Sequence, residues 1–205
     1  MQVKKDEIRE RILEVATEEF FRKGYENASM RVIAQKSYTT LGNIYHYFPN
    51  KEILLEAVLL PTVEAVENML STHMETYKKL DIIKHTETEQ KWSITKREAL
   101  EYLEHLDENL DQSGLLCLLD KKIVILIKLQ STSLLERKER ILELARAHVS
   151  EHLNIKGENR YSDILLNMFI ECVKYILIEY DDYDEARAEF VKFFTIFCYG
   201  IVGLM

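Results

Sequence analysis

The segment TTLGNIYHYFPNKE, residues 39–52, holds the side chains of this 205-residue chain best suited to chemistry. It offers a capping threonine, the polar groups of Asn43 and His46, the aromatics Tyr45, Tyr47 and Phe48, and a lysine where a further helix begins. That set suits a short helix laid in a DNA groove, with some side chains on base edges and others on phosphates. Asn43 carries an amide able to bond base edges, and Leu41 offers an apolar contact to a thymine methyl. Thr40, His46 and Tyr47 suit phosphate oxygens, with Thr39 beside them at the helix entrance. Lys51 stands at a helix start, where its ammonium and the free backbone N–H groups together favour phosphate, and Ser29 with Arg31 repeats that placement earlier. Ordinary alternatives exist. Tyr45 and Tyr47 can bury their rings, His46 can be a solvated surface histidine, and Lys51 can be a plain surface lysine.

Three helices must position this segment. Ile8, Ile12, Val15, Ala16 and Phe20 recur at helical spacing, which predicts an amphipathic helix over 5–23, ended by Lys23-Gly24. Ser29 is an N-cap for a second helix running from Met30 to about Ser37, and Thr40 caps a third. Ile44 and Phe48 are expected to face inward, leaving Thr40, Leu41, Asn43, Tyr45 and His46 on the surface. A tight turn between the second and third helices makes this a helix-turn-helix arrangement.

The order Ile12, Ala16, Phe20, Gly24-Tyr25, Ser29, Arg31, Ile33-Ala34, Thr40, Gly42, Ile44-Tyr45, Tyr47-Phe48, Lys51-Glu52, Leu54 resembles the DNA-binding domain of the TetR (tetracycline-repressor) family. The likeness covers residues 5–55 and implies that Gly42 lets the helix approach the groove and that Tyr45 contacts phosphate or a base. It also implies a ligand pocket in the rest of the chain, with a ligand changing the spacing of two DNA-binding heads. Two positions depart from the pattern. Tyr38 stands where the family's turn has glycine, and Thr39 where it has an apolar residue. A tyrosine at positive φ costs on the order of 1 kcal/mol, so either the turn differs locally or Tyr38 takes that strain for a contact of its own, such as one with the DNA backbone.

Net charge is −8, which by itself argues against a nucleic-acid partner. The charge is unevenly spread. Residues 1–52 hold nine Lys and Arg against eight Asp and Glu, for +1, and the rest holds 18 against 27, for −9. A head with so few cations needs a second head beside it, so a dimer is expected. Hydrophobic residues make up 47%, enough for a sizeable core, while six glycines and two prolines favour long helices. Cys117, Cys172 and Cys198 are too widely spaced for a metal pattern or disulfide framework and read as reduced thiols. The start MQVKKDEIRE lacks the apolar run of a signal peptide, so a cytoplasmic protein is expected.

The expected fold is all-α, with about nine helices: a helix-turn-helix DNA-binding domain over 1–50 and a helical effector-binding and dimerisation domain over 51–205. Asn50 caps a fourth helix whose Ile53, Leu54, Ala57 and Val58 pack back on the head, and Pro61 either kinks it or starts a new one. Residues 81–93 are polar and read as a loop or helix end, 94–110 as a helix, 115–130 as one buried helix despite the strand-like IVILI, and 134–153 as an amphipathic helix. The last two helices, 161–180 and 185–205, are apolar on more than one face, joined by the acidic turn DDYD. They fit an antiparallel pair whose surplus apolar surface completes a homodimeric four-helix bundle. The uncharged run 193–205 falls short of the roughly 20 residues of a membrane span.

By the resemblance, the chain is a ligand-responsive regulator, most simply a repressor, that binds a pseudo-palindromic double-stranded operator as a dimer. Met69, Met74, Trp92, Tyr102, His105, Cys117 and Phe169 are candidates to line the pocket for an unknown small-molecule effector, though each also suits ordinary core. No nucleophile elbow, phosphate loop or metal-ligand spacing occurs, so neither an enzyme nor a cofactor is expected. The rival class is a helical protein-interaction module with a degenerate helix-turn-helix.

Overall fold

The computed structural model describes residues 2–84, 97, 100–101, 104–130, 132–152 and 160–204. Among them, every regular element is a helix. The chain forms two compact units, Met1–Glu64 with Lys121–Lys138, and Ala65–Asp120 with Glu139–Met205.

In the first unit, α1 (Gln2–Asn27) carries its helical run up to Gly24, whose φ of 72° and ψ of 162° break it. Only glycine takes such angles cheaply, which is why the break falls there. α2 (Met30–Lys36) is capped by Ser29, whose side chain accepts from the Val32 N–H. α3 (Leu41–Tyr47) is capped by Thr40 through the Asn43 N–H, and Asn50 Oδ1 accepts from the Ile53 N–H at 2.8 Å to start α4 (Lys51–Lys84). The core is built from Ile12, Ala16, Phe20, Ile33, Ala34, Ile44, Phe48, Leu54 and Val58, all buried. Ile53 departs from expectation and is exposed. Helix α4 continues through Pro61.

The apolar run after residue 114 is two pieces where one helix was expected. A 3₁₀ turn, Leu115–Leu119, stops at Asp120 in an extended conformation, and α5 (Leu106–Ser113) precedes it, ended by Gly114 at φ 75°. His105 breaks off the helix expected over 94–110, being non-helical at φ −112°, ψ 31°. IVILI lies in α6 (Lys122–Lys128), a helix as expected, with Ile123 to Leu126 buried. This helix packs on α1, and the Lys121 ammonium lies over the Phe21 ring at 5.5 Å. Lys138 then donates to the Ile127 and Leu129 carbonyls, closing off the end of α6. Ser133 ties the same stretch to α4, its N–H donating to Glu52 and its hydroxyl to Glu56.

In the second unit, α7 (Leu135–His152) contributes its later turns, and α8 (Arg160–Glu179) packs against α9 (Tyr183–Leu204). Asp182 accepts from the N–H groups of Asp184 and Glu185, so α9 begins inside the DDYD turn. Phe169 of α8 meets the rings of Phe190, Phe193, Phe194 and Phe197 of α9, the register of an antiparallel pair. Leu166, Val173, Ile176, Leu177 and Phe190 are buried, while Ile164, Met168, Tyr175, Ile178, Ile196 and Tyr199 stay exposed. Among the described residues, no helix is long and apolar enough to cross a membrane.

Candidate nucleic-acid interface

Helix α3 is seated by Ile44 and Phe48, both buried, and by the Arg9 guanidinium 5.6 Å from the centre of the Phe48 ring. Those anchors decide which way the other side chains face. Gly42, Tyr45 and His46 are exposed, and Leu41, Asn43 and Tyr47 are half-buried. His46 stacks edge-on to Tyr47 at 5.7 Å, so the two rings brace each other at the end of the helix. A methyl group added at Gly42 would meet nothing within 4 Å inside the protein. The helix therefore has no internal need for glycine there.

The turn into α3 is built by side-chain chemistry. Ser37 is fully buried, and its hydroxyl donates to the Ile33 carbonyl at 2.6 Å. Tyr38 follows at φ 52° and is the one positive-φ residue besides glycine among those described. Its side chain is 88% exposed, so no packing offsets its backbone strain. Thr39 donates its N–H to Ala34 and accepts the Asn43 amide at 2.7 Å. Behind the turn, the Lys36 ammonium bonds the buried Glu19 carboxylate at 3.2 Å, linking α2 to α1.

Ser29 and Arg31 flank the start of α2, with Arg31 exposed and Ser29 occupied as cap. Lys51 has a task that its place in the sequence did not suggest. Its ammonium donates to the carbonyls of Tyr25 at 2.7 Å, Glu26 at 3.0 Å and Ala28 at 3.3 Å, and lies 4.6 Å from the centre of the Tyr25 ring. Burial, then Glu52 and Glu26, raise the Tyr25 phenol above its ordinary value. Thr39, Thr40, Leu41, Gly42, Asn43, Tyr45, His46 and Tyr47 thus lie on one helix and its entry turn, while Lys51 begins α4 and is bonded to the chain between α1 and α2.

The candidate effector residues are less gathered. Met69 and Cys117 meet at one corner. A methyl group at Gly114 would touch Met69 Cγ at 3.5 Å, and the Cys117 N–H donates to the Gly114 carbonyl at 3.1 Å. Burial and then Asp120 push the Cys117 thiol up to about 11. Phe169 belongs to the ring cluster of α8 and α9, and His105 is exposed. Trp92, Tyr102 and the Met74 side chain lie outside the described residues. Among the described residues, no group of three or more His, Cys, Asp or Glu side chains is placed to hold a metal ion.

Comparison with known proteins assigns the head. Residues 12–58 match the family model described as "Bacterial regulatory proteins, tetR family". Over 64 residues the chain is 38% identical to the HTH-type transcriptional regulator UidR of Escherichia coli (strain K12), a match covering 31% of this chain. The matched part spans about a third, 33%, of that relative's length. Among solved structures, a tetR-family transcriptional regulator from Streptomyces coelicolor aligns over 97% of this chain and 80% of that one, at 17% identity and a TM-score of 0.45. The multidrug binding protein EbrR, complexed with imidazole, aligns over 91% and 93% of the two chains, at 17% identity and a TM-score of 0.40. Residues 12–58 thus carry a tetR-type helix-turn-helix, as the residues had indicated, and every regular element among the described residues is a helix.

Proposed function

We propose that a chain carrying this head is a ligand-responsive transcriptional regulator, a repressor, that binds a pseudo-palindromic DNA operator as a homodimer. The observation that carries this reading is the outward face of α3. Ile44 and Phe48 fix the helix from behind, so Leu41, Asn43, Tyr45 and His46 face away from the head's core. Asn43 and Leu41 read base edges, Gly42 permits close approach, and Thr39, Thr40, Tyr45, His46 and Tyr47 bond the backbone, joined by Ser29 and Arg31 at α2. Repression follows most simply, because occupying an operator requires no further contact surface.

The dimer forms through α8 and α9. Their exposed apolar side chains include Ile196 at 72%, Tyr175 at 63% and Ile164 at 59%, apolar surface that a partner chain would bury. A partner chain covering them brings two heads together, offsetting the low positive charge of one. The functional division is then a DNA-binding part over 1–50 and an effector and dimerisation part over 51–205, in a cytoplasmic protein. A small ligand that favours the conformation unable to span both half-sites lowers DNA affinity by linkage. The corner formed by Met69 and Cys117 is part of the proposed effector site.

Selection of duplexes from random sequence by the purified chain tests the reading. A symmetric consensus with half-sites one helical turn apart, or a multiple of it, is expected. Failure to enrich any duplex at low salt overturns it.

A further inference from the structure

We propose that Lys51 is a positioning residue of the DNA-reading surface, which locks the turn between α1 and α2 against the start of α4, and that it is not a phosphate ligand. The proposal rests on the DNA-binding reading above.

An ammonium has three N–H donors and no acceptor. Here three carbonyls, those of Tyr25, Glu26 and Ala28, take them, and the Tyr25 ring covers a further side. A phosphate oxygen can gain a donor only by displacing one of these carbonyls. The carbonyls have reason to hold it. They belong to the last, short piece of α1 beyond the Gly24 kink and to Ala28 just after it, where the final carbonyls of a helix run out of helical N–H partners and the Tyr25 carbonyl keeps a long bond from the Ala28 N–H at 3.4 Å. A cation there meets under-satisfied acceptors and the negative end of the helix dipole.

The clamp joins two elements that shape the reading face. Ala28 precedes Ser29, the cap of α2, and its N–H returns to the Gly24 carbonyl at 3.1 Å. Lys51 is itself the first residue of α4, next to the cap Asn50. One side chain therefore sets where α2 begins relative to where α4 begins, and α3 lies between them in the chain. Three donors diverging from one atom suit three converging carbonyls. A planar arginine fork does not, although it binds phosphate at least as well.

The last point supplies the test. Lys51→Arg and Lys51→Met are compared with the wild type on a duplex the wild type enriches from random sequence, across a salt series. Stoichiometric titration gives the active fraction. Both variants are expected to bind roughly tenfold more weakly per active molecule, with the wild-type salt slope. The Ala28 and Val32 amides are expected to exchange with deuterium faster in both. Wild-type affinity in Lys51→Arg overturns the proposal, as does a fall of about 0.9 in the Lys51→Met slope, the loss of one phosphate contact. A lower melting temperature with unchanged affinity per active molecule reduces the lysine to a stabilising contact and overturns it too. The wild type alone gives an independent check, should a variant not fold. A phosphorus coupling to the Lys51 ammonium nitrogen in the complex overturns the proposal, and slow exchange of an uncoupled ammonium supports it. If the wild type enriches no duplex, the DNA reading fails while amide exchange still decides the clamp.

Discussion

Asn43 and Thr39 are bonded to each other, the amide nitrogen of one donating to the hydroxyl of the other at 2.7 Å. The amide proposed to read a base edge is thus held in orientation without DNA, by the residue that stands where the family's pattern has an apolar one. Preorganisation of this kind lowers the ordering cost of binding.

Asn43→Ala should relax base preference at one position of each half-site, by about 1–3 kcal/mol. Thr39→Val should give a milder relaxation at the same position, because it frees the amide without removing it. Binding to a panel of single-base operator variants checks both. Relaxation at different positions would separate the two residues.

Tyr38→Gly should raise head stability by about 1 kcal/mol, since glycine relieves the positive φ and the exposed ring loses no packing. A thermal melt reads it directly. A fall in melting temperature would show that the tyrosine packs against something in solution.

Gly42→Ala should also stabilise, by roughly 0.5–1 kcal/mol, because alanine is the better helix former and its methyl meets open space. DNA affinity should fall in the same variant, since the methyl stands on the approach face. Stabilisation without loss of affinity would remove Gly42 from the interface.

Ile164→Glu with Ile196→Glu should turn the dimer into a monomer in sedimentation and weaken operator binding well beyond either head's own contacts. Dimerisation that survives both changes would place the interface elsewhere.

Cys117 and Cys198 should react slowly with alkylating reagents in the native protein. Burial lifts their thiols from an ordinary 9.0 to about 11 and about 12. At pH 8 the thiolate of Cys117 is then roughly a hundredfold scarcer than that of an unperturbed thiol. The sign for stability follows. A raised pKa means the folded state holds the proton more tightly, so this contribution is whole below pH 9 and is lost as pH climbs toward 11 and 12. Timed labelling across pH 8 to 10, with and without denaturant, checks it.

What could be read from the sequence was local. Ser29, Thr40 and Asn50 cap the helices they precede and Gly24 breaks α1, because each depends on a few neighbouring residues, whereas the residues left the turn at Tyr38 open between a changed geometry and the positive φ it takes. What escaped was long-range or chemically ambiguous. Lys51 at a helix start fits a phosphate pattern as well as it fits carbonyls contributed from residues 25–28, and only the fold brings those near. An unbroken apolar run over 115–130 has no periodicity to mark the stop at Asp120. Asp182 could be seen as acidic, but its two amide partners decide that α9 starts at Tyr183. Ile53 follows the apolar pattern of α4 yet sits on its outer side.

Helix α6 packs on α1, and Ser133 is bound by Glu52 and Glu56, so a stretch far along the chain forms one unit with the head. This limits modularity. Grafting residues 1–50 onto a foreign sensor transfers the reading helix but leaves behind the apolar plug that shields α1 and the serine that engages both α4 carboxylates. A transplantable reader is a discontinuous module, and recombination within this fold must exchange residues 121–138 along with the N-terminal segment.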